Sequence, residues 1–442
     1  MDIIALLQSV DKSIDQTTLR QLGVIVTAML SMTGRVTMLG LSRWADKGGS
    51  YRTIQRFYNQ TINWSKLNWL LIQQRLLKED DTLLLGGDET IVTKAGQSTY
   101  GLDRFFSSLF GKPVRGLSFF ALSLISVKRR VSSVVMMEQL TKEPSSTVHA
   151  EPKTVKSNKA TGKRKRGRPK GSKNKNHRDV ELPAYLQHIQ KLIQELLALL
   201  GPQISLVYCV LDGAFGHNNA LQMVRRCELH LISKLRCNAA LYLPYAGPKQ
   251  KRGAPRKYGQ RLDYNQLPAT ALVESSLNGQ IRTDVYHLHV WHKKFPDLLN
   301  VVIIVKFNLT TNKRAHIILF SSDLSLSFSN LVEYYRLRFQ IEFNFRDAKQ
   351  FWGLEDFMNV NKLPVHNAAN LATFMVNVSQ ALIQSQQPLI PDFSVNDLKA
   401  HFRGQRYVQE ILKFLPLPPD PFLIQQLFAK IAFLGAIHPP NP

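Results

Sequence analysis

Three acidic residues lie at positions where their carboxylates could bind a divalent metal ion. Asp88 falls within a predicted strand, Asp212 directly follows another, and Glu342 belongs to a predicted helix. Hard ions such as Mg²⁺ prefer oxygen ligands and keep open positions for phosphate and water. Two such ions can activate a nucleophile and stabilise the leaving oxygen of an in-line displacement. A single aspartate in a strand or before a glycine is more often a turn or capping residue, so the metal site is predicted from the three acids together.

The predicted helix around Glu342 carries four polar side chains on one face. At about 100° per residue, Tyr335, Arg338, Glu342 and Lys349 fall within an arc of about 60°. A phenol, two cations and a carboxylate therefore share that face, beside an apolar stripe that would anchor the helix on a core. The face is either a functional site or a set of surface ion pairs, each worth about 1 kcal/mol or less.

The chain on both sides of Asp212 has the element order of an α/β domain. Its apolar patterns predict three consecutive antiparallel strands, a long helix, a strand that ends at Asp212, another helix and a further strand. The predicted bounds are 83–92, 117–127, 131–137, 182–200, 205–211, 218–226 and 229–235. This is the order of a ribonuclease-H-like core, expected over residues 81–237 and again over 321–356. In such a core Asp88 and Asp212 would lie side by side at the centre of the sheet.

Residues 1–80 are predicted to form a helical DNA-binding domain. Two short helices over 36–45 and 51–60 flank a glycine turn, with Ser50 as the N-cap of the second. The second helix presents Arg52 and Arg56, as a helix-turn-helix that enters a DNA major groove would do. An ordinary helical hairpin with a solvated basic face explains the pattern equally well.

A β-rich insertion is predicted over residues 238–320. Strand-like runs over 281–291, 299–307 and 315–320 follow a basic loop, and Trp291 lies on the first run. The loop presents four candidate DNA-binding cations: Lys251, Arg252, Arg256 and Lys257. Residues 357–442 are predicted to be helical and to end in proline-rich coil.

Residues 153–178 are predicted to be a basic arm within the core. They contain twelve lysines and arginines and no acid, so they cannot bury enough apolar surface to fold alone. At the centre, Arg166 and Arg168 belong to an Arg-Gly-Arg-Pro unit, which suits the narrow minor groove of A·T-rich DNA. Nonspecific phosphate contact and plain solvation remain alternatives for the arm.

The composition favours a nucleic-acid partner over a membrane. The formal net charge of the 442 residues is +25, which makes a polyanion the expected ligand. No apolar run reaches the roughly 18 residues of a membrane-spanning helix, and the N-terminus lacks the pattern of a signal peptide. The three cysteines are too few and too scattered for a disulfide framework or a paired-thiolate zinc site, so a reducing cytoplasm is expected.

The chain resembles the DDE transposases of bacterial insertion sequences. The resemblance is to the insertion-sequence-four-like group, which carries a Tyr, Arg, Glu, Lys signature with two, three and six intervening residues. Tyr335, Arg338, Glu342 and Lys349 match that spacing without a gap. The Asp88 strand, the turn after Asp212 and the β-rich insertion extend the resemblance over most of residues 82–356.

The resemblance implies a metal-dependent reaction on DNA. Asp88, Asp212 and Glu342 would bind two Mg²⁺ ions, with Mn²⁺ as a substitute, for cleavage at a transposon end and strand transfer into target DNA. A hairpin intermediate occurs in some members. Arg338 and Lys349 would hold terminal phosphates, and Tyr335 would add a hydrogen bond or stack near the cut.

The resemblance also implies partners and a location. The protein would bind terminal inverted repeats and target DNA as a homodimer or higher multimer, with end binding by the N-terminal helices and partner contacts by the C-terminal ones. It would act on the nucleoid in the bacterial cytoplasm. Trp291 is a candidate to receive a flipped base, because hairpin-forming relatives use an aromatic residue of the insertion for this. A core position for Trp291 is the alternative.

Two alternatives to a transposase remain open. One keeps the core as a Mg²⁺-dependent endonuclease or resolvase without strand transfer, and the other is a non-catalytic DNA-binding protein with structural acids. Group members often carry a second aspartate where this chain has Glu89. Asp80, Asp81 and Asp347 compete for the metal role, but the first two precede the strand and the third lies about 140° round the helix from Glu342.

Overall fold

A computed structural model describes residues 15–78, 80–107, 110–141, 177–248, 255–417, 419–431 and 434–438. No helix in these ranges is long and apolar enough to cross a bilayer. The basic arm lies outside them, apart from its last two residues.

The N-terminal region is helical, as predicted. Its elements are α1 Gln16–Ser31, α2 Met38–Trp44, α3 Tyr51–Tyr58, α4 Trp64–Leu71 and a π-helical turn Ile72–Leu76. The side chains of Asp15, Thr37, Ser50 and Asn63 each accept a backbone amide hydrogen bond at the start of a helix. N-cap residues of this kind satisfy amides that have no partner within the helix. The prediction that Ser50 starts α3 is therefore confirmed.

Within the described residues, twelve strands form one mixed sheet. They are β1 Leu83–Thr93, β2 Asp103–Ser107, β3 Lys112–Ser126, β4 Val131–Leu140, β5 Tyr208–Leu211, β6 His230–Leu235, β7 Leu241–Pro244, β8 Tyr258–Arg261, β9 Leu272–Asn278, β10 Ile281–His292, β11 Leu299–Asn308 and β12 Arg314–Ser321. Strands β1, β3 and β4 pair antiparallel, as predicted, while β1, β5 and β6 run parallel in that spatial order. Strand β12 pairs antiparallel with β6, so the strands of the 238–320 segment continue the same sheet.

Helices cover both faces of the sheet. On one face lie α5 Ala184–Leu200 and α6 Asn218–Arg225, packed on side chains such as Leu85 and Leu211. On the other face lie the N-terminal helices, α7 Phe328–Leu337, α8 Gln340–Gln350 and α9 Lys362–Gln386, packed on Leu84 and Val210. Consecutive residues of a strand thus pack into the cores on opposite faces of the sheet, as the two-residue period of a strand requires.

Helix α9 closes the edge of the sheet at β4. Amide side chains of Asn370, Asn377 and Gln380 donate hydrogen bonds to the backbone carbonyls of Met137, Val134 and Ser132. These carbonyls belong to a strand that pairs with β3 alone, so side chains replace the missing neighbour. The edge strand is thereby protected from pairing with another chain.

The helix predicted around Glu342 is broken. Helix α7 ends at Leu337 and α8 begins at Gln340, and between them the amides of Phe339, Ile341 and Glu342 bond three residues back instead of four. The tighter winding displaces the continuous polar face that a single helix would have. Arg338 consequently lies in the junction between two helices.

The C-terminal region is helical, as predicted. Its helices after α9 are α10 Val395–Leu412 and α11 Pro421–Ile431, and residues 434–438 beyond them are not helical. Pro421 occupies the first position of α11, where a missing amide hydrogen costs nothing. Helix α10 packs on α1, which joins the two ends of the chain.

Candidate active site

Asp88 and Asp212 lie at equivalent heights on adjacent parallel strands. Gly87 of β1 pairs with Leu211, the last residue of β5, so the next residue on each strand is an aspartate. Asp212 then caps a short 3₁₀ turn, because its Oδ1 accepts a hydrogen bond from Ala214 N at 2.9 Å. Its carbonyl accepts a hydrogen bond from Ser233 Oγ on β6 at 2.6 Å. The sheet therefore brings together the two aspartates that the sequence proposed as neighbours.

Glu342 reaches the same region from the first turn of α8. The preceding residue, Ile341, is fully buried against β1 at Gly86, where a Cβ would stand only 2.6 Å from Ile341 Cδ1. Glycine permits this close approach of helix to strand. Glu342 is thus held beside the strand that carries Asp88.

Arg338 joins two of the three carboxylates. Its Nη1 lies 2.5 Å from Asp88 Oδ2 and its Nη2 lies 2.9 Å from Glu342 Oε1. The side chains of Arg338 and Asp88 are only 15% and 16% exposed, whereas Glu342 is 42% exposed. Charge-assisted hydrogen bonds of this kind are short and strong where water is largely excluded.

The electrostatics show that the carboxylates influence one another. Burial, the main cause, and the negative charges of Asp212 and Glu342 together raise the pKa of Asp88 to about 6, although the positive charge of Arg338 and the Glu89 amide act to lower it. Burial also raises the pKa of the Tyr335 phenol, with Arg338 opposing and Asp212 contributing. The three carboxylates thus repel one another, and Arg338 pairs with two of them.

The donor set suits a hard divalent cation, although the side chains do not form a closed metal site. Across the described ranges, no three His, Cys, Asp or Glu side chains come close enough together to hold an ion. Arg338 stands between Asp88 and Glu342 instead. Carboxylate oxygens with excess negative charge are nonetheless what Mg²⁺ requires.

Lys349 of the signature lies away from the carboxylates. Its Nζ donates a hydrogen bond to Ile91 O at 2.7 Å and pairs with Glu355 at 3.3 Å. The residue therefore ties the end of α8 to the end of β1.

Trp291 also lies away from them, within an aromatic–cation cluster on β7, β8 and β10. The cluster comprises Tyr242, Tyr245, Tyr258 and Trp291 with Arg256, Lys257 and Lys293. Strand β10 is the fourth strand from β5, and the register links its His289 across the sheet to Val210. Trp291 follows His289 by two residues, in the direction that leads away from Asp212. Lys257 Nζ lies 5.1 Å from the centre of the Trp291 ring.

The remaining DNA-binding candidates fall into two groups. Arg52 and Arg56 are exposed on α3, opposite its buried residues Ile54 and Phe57. Arg166, Arg168, Lys251 and Arg252 lie outside the described residues.

Two residues that sequence reasoning missed stand beside the acids. Tyr185, at the start of α5, is stacked on Phe215 with ring centres 6.3 Å apart, and burial together with the charges of Glu89, Asp212 and Asp88 raises its pKa. Lys234 of β6 lies against the turn after Asp212, because a Cβ on Gly213 would meet its Cε at 3.1 Å. The sequence offered a signal for Lys234, because it is a lysine within the apolar run of a predicted strand. Nothing in the sequence singled out Tyr185.

The competing acids have other partners. Asp81 accepts hydrogen bonds from Ser126 Oγ and Lys128 N, and Asp347 pairs with Arg346 at 3.0 Å. Glu89 accepts a hydrogen bond from Ser118 Oγ at 2.5 Å.

A large mixed sheet flanked by helices, with further helices at the C-terminal end, is consistent with the fold of a DDE-type nuclease. The family model described as DDE superfamily endonuclease matches residues 9–290, well over half of the chain. The chain therefore belongs to the DDE superfamily endonucleases. Membership indicates a nuclease or transposase that acts on DNA, and such enzymes generally use divalent metals. The match includes Asp88 and Asp212 and ends before Glu342. No curated protein matches the sequence.

Proposed function

We propose that the protein is a cut-and-paste DNA transposase, which cleaves transposon ends and joins them to target DNA. The observation that carries the proposal is the Arg338 fork, which bonds both Glu342 and Asp88, the latter 250 residues earlier in the chain. Arg338 thereby links Glu342, the acid of the signature, to Asp88. Asp212 lies beside Asp88 because of the strand register. The signature spacing extends the proposal from nuclease to transposase of the insertion-sequence-four-like group.

A ribonuclease-H-like core is part of the proposal. The strands β4, β3, β1, β5 and β6 are neighbours in that order, with β3 antiparallel to β1 and β4 antiparallel to β3. Helix α5 connects β4 to β5 and covers one face. Asp212 follows the end of β5 and Asp88 lies within β1, directly after the point where the parallel pairing of the two strands stops and a ligand can approach.

Asp88, Asp212 and Glu342 are the proposed ligands of two Mg²⁺ ions, for which Mn²⁺ would substitute. The ions, when bound, would activate the attacking oxygen and neutralise charge on the phosphate. The protein itself would hold the three carboxylates near one another, those of Asp88 and Asp212 on adjacent strands and that of Glu342 on a helix. Lys234 supplies a further cation beside Asp212.

The signature residues position the DNA. Arg338 presents a planar fork suited to a phosphate, and Tyr335 offers a neutral hydroxyl beside it because its pKa is raised. Lys349 lies about 10 Å beyond Glu342 along α8, so it would contact a different phosphate from Arg338. Strand cleavage, strand transfer and a hairpin intermediate would all use this one site.

Surfaces outside the site extend the proposed DNA contact. Arg52 and Arg56 on α3 suit an end-binding helix, and the aromatic–cation cluster suits an unpaired or phosphate-rich segment. The three tyrosines of the cluster, with Arg256 and Lys257, lie within residues 229–262, which contain eight lysines and arginines and no acid. Trp291 could receive a flipped base only if the DNA path extends four strands from Asp212.

Assembly as a homodimer or higher multimer is also proposed. Helix α11 has no buried residue, and Phe414, Leu417 and Phe422 expose large apolar side chains near it. Exposed apolar patches of this kind often mark protein interfaces.

The test uses a plasmid that carries this reading frame with its native flanking DNA, a second target plasmid and Mg²⁺. Excision with joining of the ends to the target supports the transposase. Cleavage without joined products favours an endonuclease or resolvase, the second candidate, which the family description itself favours. Binding without cleavage, unchanged by Asp88→Ala, would favour a non-catalytic DNA-binding protein.

A further inference from the structure

The Arg338 guanidinium is held chiefly by two acids, with the Tyr335 phenol as a further neighbour. Its Nη1 and Nη2 donate to Asp88 and Glu342, and within the described chain its buried Nε has no hydrogen-bond partner. A buried polar atom without a partner costs free energy, so the guanidinium stays in place because of its two carboxylates.

The same two carboxylates are proposed metal ligands. When a carboxylate accepts a short hydrogen bond from a guanidinium, one of its oxygens and its negative charge already interact with that cation. An arginine and a divalent ion between one pair of carboxylates therefore compete for the same charge.

We infer that Arg338 occupies the cation position between Asp88 and Glu342 in the free protein and must leave both carboxylates before a divalent ion can bind there. The inference rests on the proposed function, because Asp88 and Glu342 are taken as the ligands. It adds regulation to that site, since metal binding depends on a residue that DNA can draw away.

The position of Arg338 in the fold permits this exchange. The residue lies in the junction between α7 and α8, and Glu342, its weaker tether at 2.9 Å, is the most exposed of the three side chains. A DNA phosphate offers two oxygens to the same planar fork, so it could replace the two carboxylates. DNA binding would then open the metal site, and the free protein would bind metal weakly.

The experiment measures Mn²⁺ binding rather than cleavage. The full-length protein, Arg338→Gln and Arg346→Gln are titrated with Mn²⁺ by electron paramagnetic resonance, first without DNA and then with duplex DNA from the flanks of the reading frame. Arg346 is a matched control, because it lies on α8 and, among the described residues, contacts Asp347 and the Phe343 ring, so its substitution removes one charge without touching Asp88 or Glu342. Far-UV circular dichroism and Tm establish that each variant is folded, and Arg338→Lys retains a charge if Arg338→Gln does not fold.

Arg338→Gln is expected to bind Mn²⁺ at least about tenfold more tightly than the wild type without DNA, because two charge-assisted hydrogen bonds no longer compete. Arg346→Gln should stay within about twofold of the wild type, as expected for an exposed and screened charge. DNA should tighten Mn²⁺ binding by the wild type and have little effect on Arg338→Gln. With Arg338→Lys, a single ammonium cannot bridge both acids, and intermediate affinity is expected.

Equal or weaker Mn²⁺ binding by Arg338→Gln would overturn the inference. Asp88→Asn separates this result from a failure of the proposed function. If Asp88→Asn abolishes Mn²⁺ binding while Arg338→Gln leaves it unchanged, the metal ligands are right and the competition is wrong. Asp88→Asn is made both alone and together with Arg338→Gln. If neither protein loses Mn²⁺ binding, the ion lies elsewhere, and both the inference and the proposed metal ligands are wrong.

Discussion

Ile341 of α8 occupies the space in front of Gly86 of β1. A Cβ on residue 86 would stand 2.6 Å from Ile341 Cδ1, closer than carbon atoms approach in proteins. Each residue is close to a proposed metal ligand, because Asp88 follows Gly86 by two and Glu342 follows Ile341. The missing side chain therefore sets how closely the helix brings its glutamate to the strand.

Gly86→Ala is expected to destabilise the protein and to reduce cleavage. The added methyl group must displace Ile341 and also Ile125, whose Cδ1 is equally close, at a cost of about 1–3 kcal/mol. Thermal unfolding gives the loss of stability, and Mg²⁺-dependent cleavage gives the effect on the site. Gly96→Ala is the control, since its Cβ would meet nothing nearer than Thr99 Oγ1 at 3.6 Å. Equal Tm values for the two variants would show that α8 does not depend on Gly86.

Glu342→Gln should reduce cleavage about a thousandfold, because a bound metal contributes several kcal/mol to such a reaction. The amide keeps the shape of the side chain and an oxygen for Arg338, yet it lacks the charge that binds Mg²⁺. DNA binding should stay within a few-fold of the wild type in an electrophoretic mobility assay. Glu333→Gln is a matched control, because Glu333 lies on α7 and pairs with exposed Arg130. Cleavage at the wild-type rate by Glu342→Gln would refute the assignment of the third acid.

Much of the core was predictable from the sequence because its signals are local. Apolar runs marked β1, β3, β4, β5 and β6, and the position of Asp212 followed from where the β5 run stops. Asp88 lies within β1, so its place beside Asp212 depends on the register of the parallel pair as well as on the strand order.

The parts that were not predictable depend on contacts between distant residues. The break after Leu337 comes from tighter backbone bonding in the junction, which leaves no mark in an apolar pattern with helical spacing. The position of Lys349 follows from its bond to Ile91 O, 258 residues earlier in the chain. Tyr185 reaches the acids only because α5 packs its first turn against Phe215.

Deleting residues 153–176 should weaken DNA binding and flatten its dependence on salt. The segment contains eleven lysines and arginines, and each phosphate contact contributes about −0.9 to the slope of log K against log salt concentration. The deletion stops before His177, whose carbonyl accepts a hydrogen bond from Asn218, and before Arg178, which pairs with Asp297. An unchanged slope would mean that the arm does not contact phosphate. Preference of the intact protein for A·T-rich over G·C-rich duplexes, lost when Arg166 and Arg168 become alanine, would assign minor-groove binding to that pair.

Asp397 fixes the end of the chain to α10. Its buried carboxylate accepts hydrogen bonds from the backbone amides of Ser394, Ile437 and His438, and also from the Ser394 hydroxyl. Burial alone would raise the pKa of Asp397, but the hydrogen bonds from Ser394 and His438 outweigh it and hold the pKa far below its usual value. The ionised form is therefore the one that the folded protein stabilises.

Asp397→Asn should lower the free energy of unfolding by about 2–4 kcal/mol near neutral pH. Hydrogen bonds to a charged group are worth about 1.5–3 kcal/mol each, but the asparagine oxygen still accepts some of them, so the total loss is smaller than their sum. A lowered pKa adds stability that is complete above the unfolded value, near 3.8, and is lost as the pH falls below it. The difference in Tm between wild type and Asp397→Asn should therefore be largest above about pH 5 and shrink below pH 4. Asp392→Asn, an exposed substitution in the segment before α10, should leave Tm unchanged at every pH. A difference between wild type and Asp397→Asn that stayed constant from pH 7 to pH 3 would show that the charge of Asp397 does not hold the terminus.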